Sequence, residues 1–258
     1  MSLVTRPLRA LLRAISKPLP KPNLNLQCGF DSPMRLYGTT TRALRLTTLV
    51  GAAAVLAGCA LLAGPRAGMG FFVTSAGPGE GANLGGIAGA DRHCQRLGTA
   101  AGAGKRVWRA YVSQQATERV AAVNARDRIG KGPWKNAVGD VIATDLTHLH
   151  GVNNLSRQTA LTERGAAVNG RGDTPNLHDI LTGSQANGTA IAGDVNTTCG
   201  NWTQSGDGAA MVGHHDKAGL DDSVPARSWN SSHLTRGCSA EALKLTGGAG
   251  LFYCFAAD

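Results

Sequence analysis

Residues 85–101 read GGIAGADRHCQRLGTAA. Within them Ile87, Ala90, Cys94 and Leu97 recur at the three- and four-residue spacing of one helical face, with Asp91 in the first turn, so 87–101 is predicted helical. Upstream, Phe71-Phe72-Val73-Thr74-Ser75 is β-branched and aromatic and stops at Gly77-Pro78-Gly79, a strand followed by a turn. Downstream, Val107–Ser113 (VWRAYVS) alternates as a second strand. Residues 116–129 are predicted to form a second helix with Ala116, Val120 and Val123 on one face. The chain closes on Gly250-Leu251-Phe252-Tyr253-Cys254-Phe255, an apolar run suited to a central strand. Helices and strands in this mixture predict an α+β domain spanning 71–258.

Between 130 and 237 regular signals thin out, and Gly, Asn, Asp, Ser and Thr dominate. A structureless loop of that length is unusual in a compact domain. Short strands and long ordered loops, pinned by Trp134, Trp202 and Trp229, are expected instead. Four cysteines fall in this domain: Cys94, Cys199, Cys238 and Cys254. Two disulfides have three possible connectivities, of which nesting, Cys94–Cys254 around Cys199–Cys238, is the economical one. The absence of a C-x-x-C pair excludes a zinc ribbon or a thioredoxin motif.

The formal charge of +9 is confined to one end. Residues 1–67 carry nine Lys/Arg against the single acid Asp31, which leaves a net of +1 for 68–258. A nucleic-acid reader needs a basic face on its folded part, so nucleic acid is excluded as a partner. Residues 46–64 (LTTLVGAAAVLAGCALLAG) follow Arg35, Arg42 and Arg45, the basic-then-apolar order of an export signal. Leu56-Ala57-Gly58-Cys59 is similar to a bacterial lipobox, which implies lipidation at Cys59; an uncleaved anchor and ordinary signal cleavage are the alternatives. Met34 opens this signal more naturally than Met1. The expected organisation is an upstream extension over 1–33, a signal or membrane anchor over 34–63, a Gly/Pro-rich link over 64–70, and the domain. All three readings place the domain outside the cytoplasm, in the cell envelope or secreted, where disulfides persist.

Gly85–Asp91 followed by Cys94 resembles the first-helix motif of endostatin, the C-terminal domain of certain collagens. Trp108–Ser113, Ile180–Gln185, Cys199-Gly200-Asn201-Trp202, Gly237-Cys238 and Phe252-Tyr253-Cys254 resemble later endostatin segments in the same order. The resemblance covers nearly all of 71–258, and bacterial secreted proteins of this type that are labelled lectins look more similar to it than the animal domain does, through the GGIAGADRHCQ and FFVTS segments. It implies a C-type lectin-like fold, with two helices around a twisted antiparallel sheet, a long loop region and the nested disulfides. Two departures matter. Fifteen residues separate Cys238 from Cys254, an insertion relative to endostatin, and no arginine cluster or N-terminal histidine set carries over heparin or zinc binding.

No calcium-lectin triplet is present; Trp229-Asn230-Ser231 comes nearest, with serine in place of the metal-ligating acid. Asp216, Asp221 and Asp222 could supply oxygens to calcium, although a solvated acidic loop is the plainer reading. His214-His215-Asp216 would bind a metal only if the backbone turned, and His233 or His178 would complete a zinc set of three. Hydrogen-bonding histidines are the plainer reading there as well. His148 and His150, at i and i+2, would share one face of a strand. Arg171-Gly172-Asp173 is an adhesive-type tripeptide inside a turn, and the sequons at Asn187, Asn196, Asn201 and Asn230 fit surface loops. No nucleophile motif occurs. For metal-free sugar binding, Trp134 and Trp229 offer flat apolar faces, and Asn136, Asn230, His214 and Asp216 offer oriented polar groups.

These residues support a non-enzymatic, exported cell-envelope binding module for a glycan or surface-protein ligand, with no required cofactor and calcium or zinc left open. The alternatives are a structural or adhesive envelope protein and, more remotely, a metal-dependent hydrolase.

Overall fold

A computed structural model describes residues 68–258. Cys59, the 1–33 extension, the 34–63 signal and most of the link lie outside the described residues. Among the described residues, no helix is long and apolar enough to cross a membrane.

The closing apolar run is the spine of the fold. Strand β8, Gly248–Ala256, is flanked over its second half by β1 (Phe71–Val73) and β2 (Trp108–Ala110), both antiparallel. Its first half pairs in parallel with β5 (Asp179–Leu181). The sheet continues to β6 (Met211–His214) and β7 (His233–Leu234), each antiparallel to its neighbour, giving the order β1-β8-β5-β6-β7 with β2 also on β8. The sheet is therefore mixed, where a purely antiparallel one was expected. β3 (Trp134–Lys135) and β4 (Val141–Ala143) form a separate two-stranded ribbon.

Side chains alternate across a strand, so β8 supplies two cores at once. Phe252, Cys254 and Ala256 point to the side of Phe72, Trp108 and the long helix. Leu251, Tyr253 and Phe255 point to the side of Phe71, Tyr111, Trp134 and Trp229. Burial on both faces explains why the strand reads as an uninterrupted apolar run.

Helix α1, Gly86–Ala100, buries Ala90, His93, Cys94 and Gly98. Gly98 is required there because a Cβ would run into the indole of Trp108. Asp91 lies beyond the first turn: it accepts from Ala110 N at 3.0 Å and pairs with Arg109 and Arg128 at 3.0 and 2.6 Å, tying the helix to β2. The predicted second helix is absent. Residues 116–124 are irregular, and only a short 3₁₀ turn, Ala125–Arg128, forms. Ser113 Oγ accepts from Ala125 N, and Gln114 pairs with Val123, so tertiary hydrogen bonds outcompete a weak helical stripe. The remaining helices are short: α2 (Leu146–His150) and α3 (Ala240–Lys244).

Both disulfides form in the nested pairing, Cys94–Cys254 with Cα atoms 5.6 Å apart and Cys199–Cys238 at 5.7 Å. Cys199, Gly200, Asn201 and Trp202 all have positive φ, a single left-handed turn. For L residues each such conformation costs about 1–2 kcal/mol, and the surroundings hold it in place. Trp202 Nε1 donates to Ser113 O at 2.7 Å, and Asn201 Oδ1 accepts from Gln115 N at 2.8 Å.

Candidate functional site

The register of three strands gathers the site. β5 opens at Asp179, which antiparallel pairing sets directly opposite His214 at the end of β6. His233 opens β7 opposite Val212, which places it diagonal to His214 on the same face, within reach of a long side chain. His178 precedes β5. Gly213 is a glycine because a Cβ would strike the backbone of Trp229; its smallness lets the 215–229 loop fold back against β6.

The imidazoles converge on one carboxylate oxygen. Asp179 Oδ1 lies 3.3 Å from His214 Nε2, 3.4 Å from His233 Nε2 and 3.2 Å from His178 Nε2. The Nε2 atoms of His214 and His233 are 3.1 Å apart. The Asp179 side chain is 1% exposed, yet neither of its oxygens receives a hydrogen bond of normal geometry. The outer nitrogens are anchored: His214 Nδ1 meets Ala226 O at 2.7 Å and His233 Nδ1 meets Leu234 O at 3.1 Å. A carbonyl can only accept, so each Nδ1 donates and, in the neutral ring, the Nε2 lone pair faces the centre. His178 Nδ1 stands 3.4 Å from Asp216 Oδ1, and the His178 ring stacks on that of His214 with centroids 4.2 Å apart.

Burial alone would raise the Asp179 carboxyl, but the imidazoles of His214 and His233 outweigh it and hold the group down at about 2. Reciprocally, Asp179 holds His233 above its ordinary value. Burial also works to raise Asp216, but His178 and the N–H groups of Arg171 and Ala218 hold it low. The histidines floor an open cleft of about 810 Å³. Arg171, Asn176, Leu220, Asp221 and Arg236 also line it.

Most predicted ligand residues lie elsewhere. Trp134 is 1% exposed, its Nε1 donating to Ile129 O and Ala256 O. Trp229 is 5% exposed, packed against Tyr111 and Tyr253. Neither offers a face to a sugar, because both are needed to fill the second core. Asn136 shapes a turn by accepting from Val138 N and Asp140 N, and buried Asn230 donates to Tyr111 Oη, Gln185 O and Ala186 O. Of the six, His214 alone lines the cleft, with Asp216 behind His178.

The other candidates also part company. His215 faces away from His214, its Nε2 bonded to Asn169 O, so the adjacent pair shares no metal. Asp216, Asp221 and Asp222 are each occupied locally, by backbone N–H groups or by Arg227, which leaves the calcium reading without a converging set. Asp173 of the Arg-Gly-Asp turn pairs with Arg157. His148 and His150 sit on α2 and not on a strand, and His150 Nε2 bonds Tyr111 Oη at 2.8 Å. Of the sequons, Asn187 is exposed and Asn230 is buried. Asp179 was missed entirely, because only strand register reveals that it faces His214 and His233.

Compared with known proteins, the sequence matches no family model and no curated protein.

Proposed function

We propose that this chain is an exported cell-envelope binding module of endostatin-like, C-type lectin-like fold that holds a glycan or surface ligand without catalysis. The observation that carries the reading is the open cleft at the β5–β6–β7 edge. Its rim presents two arginines, Arg171 and Arg236, beside Asn176, Asp221 and the apolar Leu220. Planar donors, amide and carboxylate next to an apolar wall are the groups that orient a sugar or an acidic glycan. The two nested disulfides suit a loop-rich domain in an oxidising compartment, and the N-terminal lipobox would tether it to a membrane.

The test is a glycan array with the whole chain, run with divalent cation and again with chelator. Glycan binding that falls at least about tenfold in Arg236→Ala, an exposed rim position, supports the reading. Silence in both arms refutes it in favour of protein contacts. That second reading draws on Leu220 and Val224, which are 91% and 84% exposed on the loop bordering the cleft.

A further inference from the structure

We infer that Asp179, His214 and His233 form a binding site for a divalent transition metal of the zinc class, with a coordination position open to the cleft. This stands apart from the glycan reading, since the ligands are fixed by the sheet whatever occupies the cleft.

The argument is geometric. In a tetrahedral zinc site, ligand atoms lie about 2.0–2.2 Å from the ion, which sets them roughly 3.3–3.5 Å from one another. Asp179 Oδ1, His214 Nε2 and His233 Nε2 are separated by 3.3, 3.4 and 3.1 Å. Three donors at these spacings form one face of such a tetrahedron.

A second observation points to a ligand. Asp179 is buried to within 2% of its surface with both carboxylate oxygens lacking a hydrogen-bond donor. Burying an ionised carboxylate among imidazoles that make no well-aligned hydrogen bond to it is expensive, and a cation at the centre of these donors would neutralise it. The outer shell is also of the kind metal-bound histidines have. His214 and His233 each give Nδ1–H to a backbone carbonyl, which fixes ring orientation and directs Nε2 inward.

His178 backs the site instead of completing it. Its ring lies within 11° of parallel to that of His214. In-plane lone pairs of parallel rings run side by side and do not meet at one ion, while its Nε2, 3.2 Å from Asp179 Oδ1, contacts the carboxylate. His178, Asp179 and His214 do offer ligand atoms within 4.8 Å of one another, but the stacking on His214 and the contact with Asp216 hold the His178 ring in this supporting position. His233 has a side chain 37% exposed and lies on the cleft wall, so the uncovered face of the ion looks into the cleft. Two nitrogens and one oxygen suit zinc; calcium takes six to eight oxygens, which this set does not provide.

The experiment is calorimetric titration of the chelator-stripped whole chain with zinc alone and with calcium alone. Cobalt substitution follows, read by the intense visible bands of tetrahedral Co²⁺. Expected are one zinc per chain, no comparable calcium heat, and a tetrahedral cobalt spectrum. His233→Gln, at a partly exposed position at the start of β7, should weaken zinc at least about a hundredfold and abolish the spectrum. His148→Gln, which removes a histidine far from the set in sequence, should change neither. Absence of zinc binding overturns the inference, as does binding unaffected by His233→Gln or equally weakened by His148→Gln. Zinc binding with a silent glycan array would leave this site standing and remove only the lectin reading; glycan binding by a chain that takes no zinc would do the opposite.

Discussion

Trp229→Ala separates a core tryptophan from a ligand platform. The indole lies 4.8 Å from the Tyr111 ring, 5.3 Å from Tyr253 and 6.5 Å from Phe255, with His150 at 6.0 Å. Truncating a tryptophan so enclosed removes its transfer energy and leaves a cavity, together about 3–5 kcal/mol. Four rings wall that cavity, and three of them are aromatic side chains held by β8 or by hydrogen bonds, so little collapse can refill it. Against a total stability of about 5–15 kcal/mol, the loss is a large fraction. At roughly 2–4 °C per kcal/mol for a domain of this size, the melting temperature should fall by roughly 6–20 °C. The assay is urea unfolding of the disulfide-intact protein beside Val224→Ser, a substitution on the exposed loop that should change stability by less than about 0.5 kcal/mol. A Trp229→Ala loss below about 1 kcal/mol, with ligand binding abolished, would refute the reasoning and return the ring to the surface.

Two further outcomes follow from buried groups. Burial is the leading cause that holds His150 below its ordinary 6.5, with Leu146 O opposing it and Arg126 adding to it. A depressed histidine costs stability once the unfolded chain begins to take up protons, so His150 should make the protein less stable as pH falls from 7 through 6.5 and below. His150→Gln, which can keep a bond to Tyr111 Oη, should flatten that slope in unfolding titrations at pH 5 to 7; an unchanged slope would sink the assignment. Gly98→Ala should destabilise by about 1–3 kcal/mol, although alanine is the better helix former by about 1 kcal/mol, because the added carbon meets the Trp108 indole. A stabilised variant in thermal melts would show that the helix is free to shift.

What the sequence made legible was what lies in local pattern. The helical face of Ile87, Ala90, Cys94 and Leu97 became α1, and the closing apolar run became the central strand, lengthened to Gly248–Ala256. The even cysteine count and the economy of nesting gave both bridges. Where local pattern was weak, tertiary bonding decided. The 116–129 stripe has only Ala116, Val120 and Val123 to bury, and Gln114 pairs across to Val123 in place of a helix. The sequence pattern places Asp91 in a first helical turn; in the structure it lies further along α1 and braces the helix against Arg128 and the backbone of β2.

The site was hidden for a different reason. Aromatic residues in a polar stretch suggest a sugar platform, yet a domain with long loops has few large side chains to fill its second core. Trp134 and Trp229 are spent on that core, so the polar groups beside them in sequence became loop braces. The candidate site instead gathers residues separated by 35 and 19 positions, Asp179, His214 and His233, which meet because β5, β6 and β7 are neighbours in one sheet. His214-His215 suggests a shared metal in sequence, but His214 ends β6 and faces His233, whereas His215 begins the following turn and its Nε2 bonds Asn169 O. His233, on the neighbouring strand and diagonal to His214, is the better partner for it than the histidine beside it in sequence.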